Sequence, residues 1–257
     1  MLPIRLLIHG LGKVGKEVRR CAEADEDLAV VGAVDETNDD VEFAALAEAP
    51  LRDVDVVIDF SGGDAVLALV EAAAAADPSP RLVVGSSGWG GDEKTVRRIV
   101  LERDLSFLHG ANFSIGTAVF MRLADAAADL LARAGGFDVA LLDVHHRHKK
   151  DMPSGTALRI AAAVAESTAE KTGILTGTAD RPIASDELHV ACLRVGENMG
   201  YHELIFDAPG EVIRLSQQTR GRDVYAVGAI LAAKWLMRRE EPSFYTFDQA
   251  LEDMLYG

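Results

Sequence analysis

Cysteine is almost missing from this 257-residue chain. Cys21 and Cys192 are the only two, far apart and outside any metal-ligand spacing, so they read as reduced thiols rather than a disulfide or a metal site. Positive charge is scarce as well: 26 Lys and Arg against 41 Asp and Glu give a formal charge of -15. No general field therefore draws the protein to nucleic acid or anionic lipid, and an anionic ligand must be held by local positive charge. Long apolar runs are missing too. None approaches the roughly 20 residues of a membrane span, and the N-terminal MLPIRLLIHGLGKVG has no signal-peptide cleavage pattern, so the expected compartment is the cytoplasm with no membrane partner. No internal repeat is visible, and the alanine run at 72–76 is helix composition.

What is present is a hydrophobic content of 49%, enough to bury a full core in one large domain or two modest ones. Over the first hundred residues apolar runs alternate with amphipathic stretches: IRLLIH, KVGKEVRRCAEA, LAVVGAVD, VEFAALAE, VDVVIDFS, AVLALVEAAAAA, RLVVGSS, DEKTVRRIVLER and LSFLHGA. Strands apolar on both faces between amphipathic segments predict a parallel, doubly wound α/β sheet. Ligands of such sheets bind beyond the carboxyl ends of the strands, here Gly10 to Gly15, Asp35, Asp59 to Gly62, Gly85 to Gly88 and Ala111 to Phe113. After Asn112 the rhythm changes. A long Ala-rich helix from about Ile115 to Ala134 leads to the strand FDVALLDVHH, and a helix from Ser154 to about Lys171 follows. ELHVACLRV, HELIFDA and EVIRLSQQT then follow one another as strands without helices, which predicts a second α+β domain on a mixed sheet. The expected limits are 1–112 plus 224–257 for a dinucleotide-binding domain and 113–223 for a substrate-binding and oligomerisation domain. The last segments, VYAVGAILAAKWLM and FDQALEDML, read as helices packing back on the first.

Gly10, Gly12 and Gly15 form GxGxxG between an apolar strand and an amphipathic helix, the setting in which backbone N–H groups and the helix dipole hold a pyrophosphate. The bland alternative is a tight strand-to-helix turn without a ligand; the surrounding alternation favours a dinucleotide. Asp35, 20 residues past Gly15 at the end of the second strand, suits the adenosine ribose hydroxyls. Glu36 beside it, with no adjoining Arg, favours NADH over NADPH, although Lys13 offers a charge to a phosphate.

The densest signal is DVHHRHKKDMPSGTA, residues 143–157, a run of basic and titratable groups in an acidic chain. Asp151 or Ser154 can cap the following helix, while Ser154, Gly155 and Thr156 can present N–H groups and a hydroxyl to a carboxylate. Competing explanations are a solvated charge run, simple helix capping, and a metal cluster of His145, His146 and His148. The last matches no common zinc spacing, so no metal is expected.

These motifs, with GLGKVG, DFS, GSSGW, ANFSIG and RGRDVYAVGAILAAKWL, resemble the dihydrodipicolinate reductase family over essentially the whole chain. The resemblance implies transfer of hydride from NAD(P)H to a cyclic unsaturated dicarboxylate, 4-hydroxy-tetrahydrodipicolinate, giving tetrahydrodipicolinate in lysine and diaminopimelate biosynthesis. It implies that His145 is the general acid, Lys149 its cationic partner, and that His146, Lys149, Ser154, Gly155 and Thr156 bind substrate. Gly10, Gly12, Lys13, Val14 and Gly15 would hold the cofactor with Asp35 and Glu36. Gly85, Ser86 and Ser87, and the turn of Ala111, Asn112 and Phe113, would lie near the nicotinamide. A homotetramer formed through the second domain's sheet is also implied. Met152, Tyr201 and Gln217 depart from the family pattern, and Arg222 fits a family Arg before the hinge or a domain-linking ion pair. Two other readings compete: a related Rossmann dehydrogenase acting on another small amino or imino acid, and a catalytically silent dinucleotide-binding protein.

Overall fold

Strands that are apolar on both faces must be covered on both, and this requirement organises the first half of the chain. The computed structural model describes residues 2–168 and 170–257. Met1 and Ala169, which fall within the expected first domain and the expected helix to Lys171, lie outside the described residues. The chain divides into two units, Met1–Ile115 with Arg222–Gly257, and Gly116–Gly221.

The first unit carries a six-stranded sheet built from β1 (Ile4–His9), β2 (Leu28–Val34), β3 (Val56–Asp59), β4 (Arg81–Val84), β5 (Phe107–His109) and β11 (Phe244–Thr246). Their order is β11-β5-β4-β3-β1-β2 and every pairing is parallel. Side chains alternate across the pleat. Leu6 and Ile8 pack beneath α1 (Lys13–Glu23) and α6 (Asp223–Leu236), together with Val18, Ala22, Ala229 and Ile230. Leu7, Val57 and Leu82 face the opposite layer, α2 (Val66–Ala75) and α3 (Glu93–Glu102), through Leu69, Val70 and Val96. Each fully buried aliphatic side chain of this kind contributes about 1.5–3 kcal/mol. A capping box at Thr246 and Gln249 starts α7 (Phe247–Tyr256), whose Phe247 and Ala250 join the first layer.

In the second unit α4 (Ile115–Ala134) precedes the central strand β6 (Asp138–His145), and α5 (Gly155–Ser167) follows it. β7 (Gly173–Thr176), β8 (Glu187–Arg194), β9 (Gly200–Ala208) and β10 (Glu211–Thr219) complete a mixed sheet of order β10-β9-β6-β8-β7. β8 runs parallel to β6, and β9 antiparallel. The face of Val139, Leu141, Val190, Leu204 and Phe206 packs against Phe120, Ala124, Ile160 and Val164 of the helices. This is the doubly wound parallel sheet with a second mixed-sheet unit that the residue pattern predicts.

Two local expectations are corrected. VEFAALAE is not an α-helix and has only a single 3-10 turn at Leu46–Glu48: Phe43 N–H donates to the Ala33 carbonyl (3.1 Å), Asp35 N–H donates to the Phe43 carbonyl (3.3 Å), and the Glu42 carboxylate accepts from Ala33 N–H (2.8 Å). The segment instead covers the open edge of β2, where unpaired backbone groups otherwise face solvent. α5 ends at Ser167 because Thr168 Oγ1 turns back to the Val164 carbonyl (2.7 Å). Lys171, expected as its last residue, is a buried cation bound to Asp138 and to the carbonyls of Ser185 (2.8 Å) and Glu187 (3.0 Å). Finally, β7 and β11, of four and three residues, were too short for periodicity to reveal.

Gly228 lets α6 approach the backbone so closely that a Cβ there would lie 1.8 Å from the Phe113 carbonyl oxygen. Gly228→Ala is therefore expected to overpack this contact and to cost roughly 1–3 kcal/mol, read as a lowered urea midpoint. An unchanged midpoint would show that α6 is free to shift.

Candidate functional site

The strand order turns back between β1 and β3, which opens a crevice at their carboxyl ends, the usual ligand position in an open α/β sheet. Gly10 takes φ +85°, and a Cβ on it would strike the Ser61 backbone at 2.4 Å. A Cβ on Gly15 would lie 1.9 Å from the Gly10 carbonyl oxygen, so this glycine lets α1 sit against the loop. Nothing lies within 4 Å of a Cβ at Gly12, which is exposed. Lys13 and Val14 begin α1, whose first turn has neither an acidic residue nor a side-chain cap. These are the features that a diphosphate cradle needs.

Asp35 ties the loop to the end of β2. Its Oδ2 accepts from Leu11 N–H (2.8 Å), and its Oδ1 from the N–H and hydroxyl of Thr37 (both 2.8 Å). Partial burial opposes ionisation of this carboxyl, but the hydrogen bonds from Thr37 and Leu11 and the nearby His9 outweigh it and hold the pKa below the ordinary value. Gly10, Asp35 and Glu36 line one cavity of about 410 Å³ with His9, Thr37 and Ser61. The remaining expected cofactor residues lie along the same sheet edge, outside that cavity. Gly85 follows β4, where a Cβ would meet the Phe60 ring at 2.2 Å; Ser86 is buried and its carbonyl accepts from Trp89 Nε1 (2.9 Å); Ser87 is exposed. After β5, Ala111 is exposed and Asn112 Oδ1 accepts from Ser114 N–H (2.8 Å). Phe113 is buried against Phe60 and Phe247, leaving only its backbone for a ligand.

The second unit brings its polar groups together at the end of β6. Val139, Leu141, Asp143 and His145 share one face of this strand, so the apolar row that packs on the helices continues into two buried polar residues. Register places His202 of β9 opposite Asp143, and Arg194 of β8 opposite His145. Asp143 becomes the hub. Its Oδ1 lies 2.9 Å from His145 Nδ1, 3.4 Å from His202 Nε2 and 2.9 Å from the Ser154 hydroxyl that donates to it. Its Oδ2 accepts from Ser154 N–H (2.9 Å) and Arg194 Nη2 (3.0 Å). Burial alone would raise the Asp143 pKa, but these donors hold the carboxyl far below the usual carboxylate range.

Ser154 is the N-cap of α5, its Oγ accepting from Ala157 N–H (3.1 Å). Of the two residues expected as possible caps, Ser154 serves, and both its donors are committed to Asp143. Gly155 and Thr156 follow in the first turn of α5, and the loop before it holds the Met152–Pro153 peptide in the cis form. Lys149 Nζ lies 2.9 Å from Asp151, whose carboxyl is held below its ordinary range by Lys149 and the N–H groups of Asp151 and Gly155, against the opposing effect of burial. The basic run thus splits. Arg147 and His148 are exposed beside Glu197, each 3.6 Å away, and Lys150 is exposed, so the solvated-run explanation holds for these three. His145 turns inward, and His146 and Lys149 are half-buried. Among the described residues, the donors that converge within 4.8 Å are Asp143, His145 and His202 rather than the three histidines of the run, and Arg194 and Ser154 occupy the same carboxylate.

Asp143 and Arg194 were not singled out from the sequence. Asp143 had a signal, a polar residue on the buried face of an apolar strand; Arg194 depends on cross-strand register and had none. Gly200 belongs here as well, since a Cβ on it would lie 3.1 Å from His145 Nε2.

A parallel sheet with a glycine cradle at its switch point, joined in one chain to a mixed-sheet unit that holds a carboxylate-bound histidine, defines a nucleotide-binding Rossmann-fold oxidoreductase. The chain belongs to the dihydrodipicolinate reductase family, whose N-terminal and C-terminal models match residues 4–113 and 116–251. It is similar to the 4-hydroxy-tetrahydrodipicolinate reductases of Caldanaerobacter subterraneus subsp. tengcongensis (34% identical, 97% of this chain and 98% of the relative) and Archaeoglobus fulgidus (33%, 97% and 100%). Among solved structures it resembles a dipicolinate-bound dihydrodipicolinate reductase from Paenisporosarcina sp. TG-14, with a TM-score of 0.76 at 20% identity over 96% of this chain and 99% of that one. No helix among the described residues is long and apolar enough to cross a membrane.

The Asp143 hub yields a stability prediction. Asp143→Asn leaves Arg194, His145 and His202 facing an amide, and a loss of about 3–5 kcal/mol is expected at neutral pH. Because the folded carboxyl has the depressed pKa, its contribution is complete above the unfolded value of about 4 and is lost as pH falls further. The gap between wild type and variant in chemical denaturation should therefore narrow in acid; a gap independent of pH would remove the charge from the account.

Proposed function

We propose that this protein catalyses the NAD(P)H-dependent reduction of 4-hydroxy-tetrahydrodipicolinate to tetrahydrodipicolinate in lysine and diaminopimelate biosynthesis. The observation that carries the reading is His145, buried and set 2.9 Å from the Asp143 carboxylate in a chain of this family. When bound, the reduced nicotinamide supplies the hydride. Gly10, Gly12, Lys13, Val14 and Gly15 hold its diphosphate, Asp35 and Glu36 its adenosine ribose, and the turns Gly85–Ser87 and Ala111–Phe113 its nicotinamide end.

His145 delivers the proton that balances the hydride. Asp143 stands 2.9 Å from Nδ1 on one side of the ring, so Nε2 is left as the donor. Lys149, kept in place by Asp151, supplies positive charge to a dicarboxylate substrate, and His146 helps to hold that substrate. Gly155 and Thr156 at the start of α5 seat one carboxylate, with Ser154 setting the geometry of that helix start from behind. The open face of the second sheet, on which Leu193 and Val212 are about half exposed, joins copies of the chain into a homotetramer. Sedimentation showing a monomer would reject that assembly.

A second reading is reduction of another small imino or amino acid. It draws on Gln217, which lies opposite His202 in the sheet and whose buried Oε1 has no hydrogen-bond partner among the described residues. A substrate panel separates the two.

Coupled to the preceding synthase and supplied with pyruvate and aspartate semialdehyde, the protein should oxidise NADH; tight NADH binding without turnover rejects the substrate. His145→Gln should lower kcat roughly 100-fold or more while leaving NADH affinity nearly unchanged, and an unaltered rate would remove His145 from the chemistry. Asp35 and Glu36 repel a 2′-phosphate, so kcat/KM should favour NADH by roughly tenfold or more. A preference for NADPH would overturn the cofactor reading.

A further inference from the structure

A buried histidine and carboxylate remain unused by the chemistry above, and they meet at the floor of the cofactor crevice. His9 ends β1 and Asp59 ends β3, and the two are register partners at the point where the strand order turns back. Asp59 is fully buried, with Oδ1 2.8 Å from His9 Nδ1 and accepting from the Ser61 hydroxyl (2.5 Å) and N–H (3.3 Å). By hydrogen-bond geometry neither its other oxygen, Oδ2, nor His9 Nδ1 has a partner among the described residues, so the histidine and the carboxylate meet as a close charge contact rather than an aligned hydrogen bond. The His9 side chain is about nine-tenths buried and lines the cavity that also contains Asp35 and Glu36.

The electrostatics of this cavity are unusual for an anion site. Asp35, Glu36 and Asp64 line it, and Asp59 lies behind His9, so four carboxylates surround a position meant for part of a ligand that carries a diphosphate. His9 is the only basic side chain among the lining residues. A neutral imidazole would leave the charge of Asp59 uncompensated in a buried place, which is costly, whereas an imidazolium neutralises it and keeps Nε2–H as a donor.

We propose that His9 is a proton-linked positioning residue for the dinucleotide: Asp59 orients its ring, and the His9 cation offsets the carboxylates of the cavity when the anionic cofactor binds. Binding therefore retains or takes up one proton at His9. Affinity falls as pH rises and the imidazole becomes neutral. Asp59 of β3 lies against this histidine, and the titratable groups that line the same cavity are the half-buried Asp35 and the exposed Glu36 and Asp64. Of these, Asp35 has its pKa held below the ordinary carboxylate value and stays ionised throughout the range in which a histidine titrates. The inference rests on the proposal that this crevice holds a nicotinamide dinucleotide.

The test is the dissociation constant of NADH, measured by calorimetry on the full chain between about pH 6 and about pH 8, the range in which histidine changes charge. NADH is chosen because it lacks a 2′-phosphate that would titrate in the same range. Wild type is expected to bind about tenfold more weakly at the upper end, and His9→Asn to bind weakly with a flat profile. Repeating the titration in two buffers of different ionisation enthalpy should show proton uptake by wild type that the variant lacks. A purely structural role would weaken binding equally at every pH and leave the slope in place; that result overturns the proposal. If His9→Asn does not fold, Asp59→Asn decides: a drop in affinity displaced to lower pH supports the linkage, and a profile identical to wild type overturns it. Absence of NADH binding by wild type at any pH would instead sink the cofactor reading, and this inference with it.

Discussion

The second unit is organised around one buried carboxylate. Taking Asp143 out of water is expensive unless its oxygens are matched, and the chain brings it three hydrogen-bond donors, two of Ser154 and one of Arg194, with His145 Nδ1 and His202 Nε2 at 2.9 and 3.4 Å. Each comes from a different part of the fold: His145 from the same strand, His202 from β9, Arg194 from β8, and both donors of Ser154 from the start of α5. A carboxylate suits this place because it only accepts; an amide would turn an N–H toward groups that are already donors. The same interaction therefore fixes the imidazole and the helix start together. A displacement of α5 would be felt at His145, since Ser154 Oγ, which caps the helix, donates to the very oxygen that lies beside His145 Nδ1.

What could be read without coordinates follows from how far each signal reaches along the chain. GxGxxG is local, and its three glycines occupy a turn, an open approach and a packing contact. The serine cap of α5 is local too, and it forms as expected, but the carboxylate behind it is 11 residues away and its need for Arg194 spans 51. Such partners are set by the register between β6, β8 and β9, and a single sequence does not contain that register. VEFAALAE shows the opposite failure. Its eight residues have a helical spacing of apolar groups, yet the strand edge of β2 offers hydrogen bonds at Ala33 and Asp35 that so short a helix could not match. Local periodicity loses when an unpaired strand edge is available.

The basic run of residues 145–150 carries a related lesson about charge in an acidic protein. As a sequence it looked like a single anion site. In the structure Arg147 and His148 lie beside Glu197 and remain exposed, which is worth little energy, while His145 takes its place in a buried pair. β6 ends at the buried His145, and the chain leaves the sheet there, so the residues that follow, Arg147 and His148, are left to solvent. The run therefore has fewer inward-turned residues than its density suggested: His145 is buried, and His146 and Lys149 are half-buried, the latter paired with the exposed Asp151.

Both units end a central strand with the same device, a buried aspartate beside a histidine at the carboxyl end: Asp59 with His9, and Asp143 with His145. The difference between them is how completely the carboxylate is matched. Asp143 has an arginine and two donors of Ser154 besides its histidines, so its charge is compensated whatever the state of any one ring. Among the described residues Asp59 has the hydrogen bonds of Ser61 and the His9 ring 2.8 Å away, with one oxygen unmatched. A well-matched carboxylate can hold a histidine in position while that histidine gains and loses a proton, because the cost of the neutral state is shared among the other donors. A poorly matched one makes the histidine's proton part of its own stability. The first arrangement suits the acid role proposed for His145, and the second the cofactor-linked role proposed for His9.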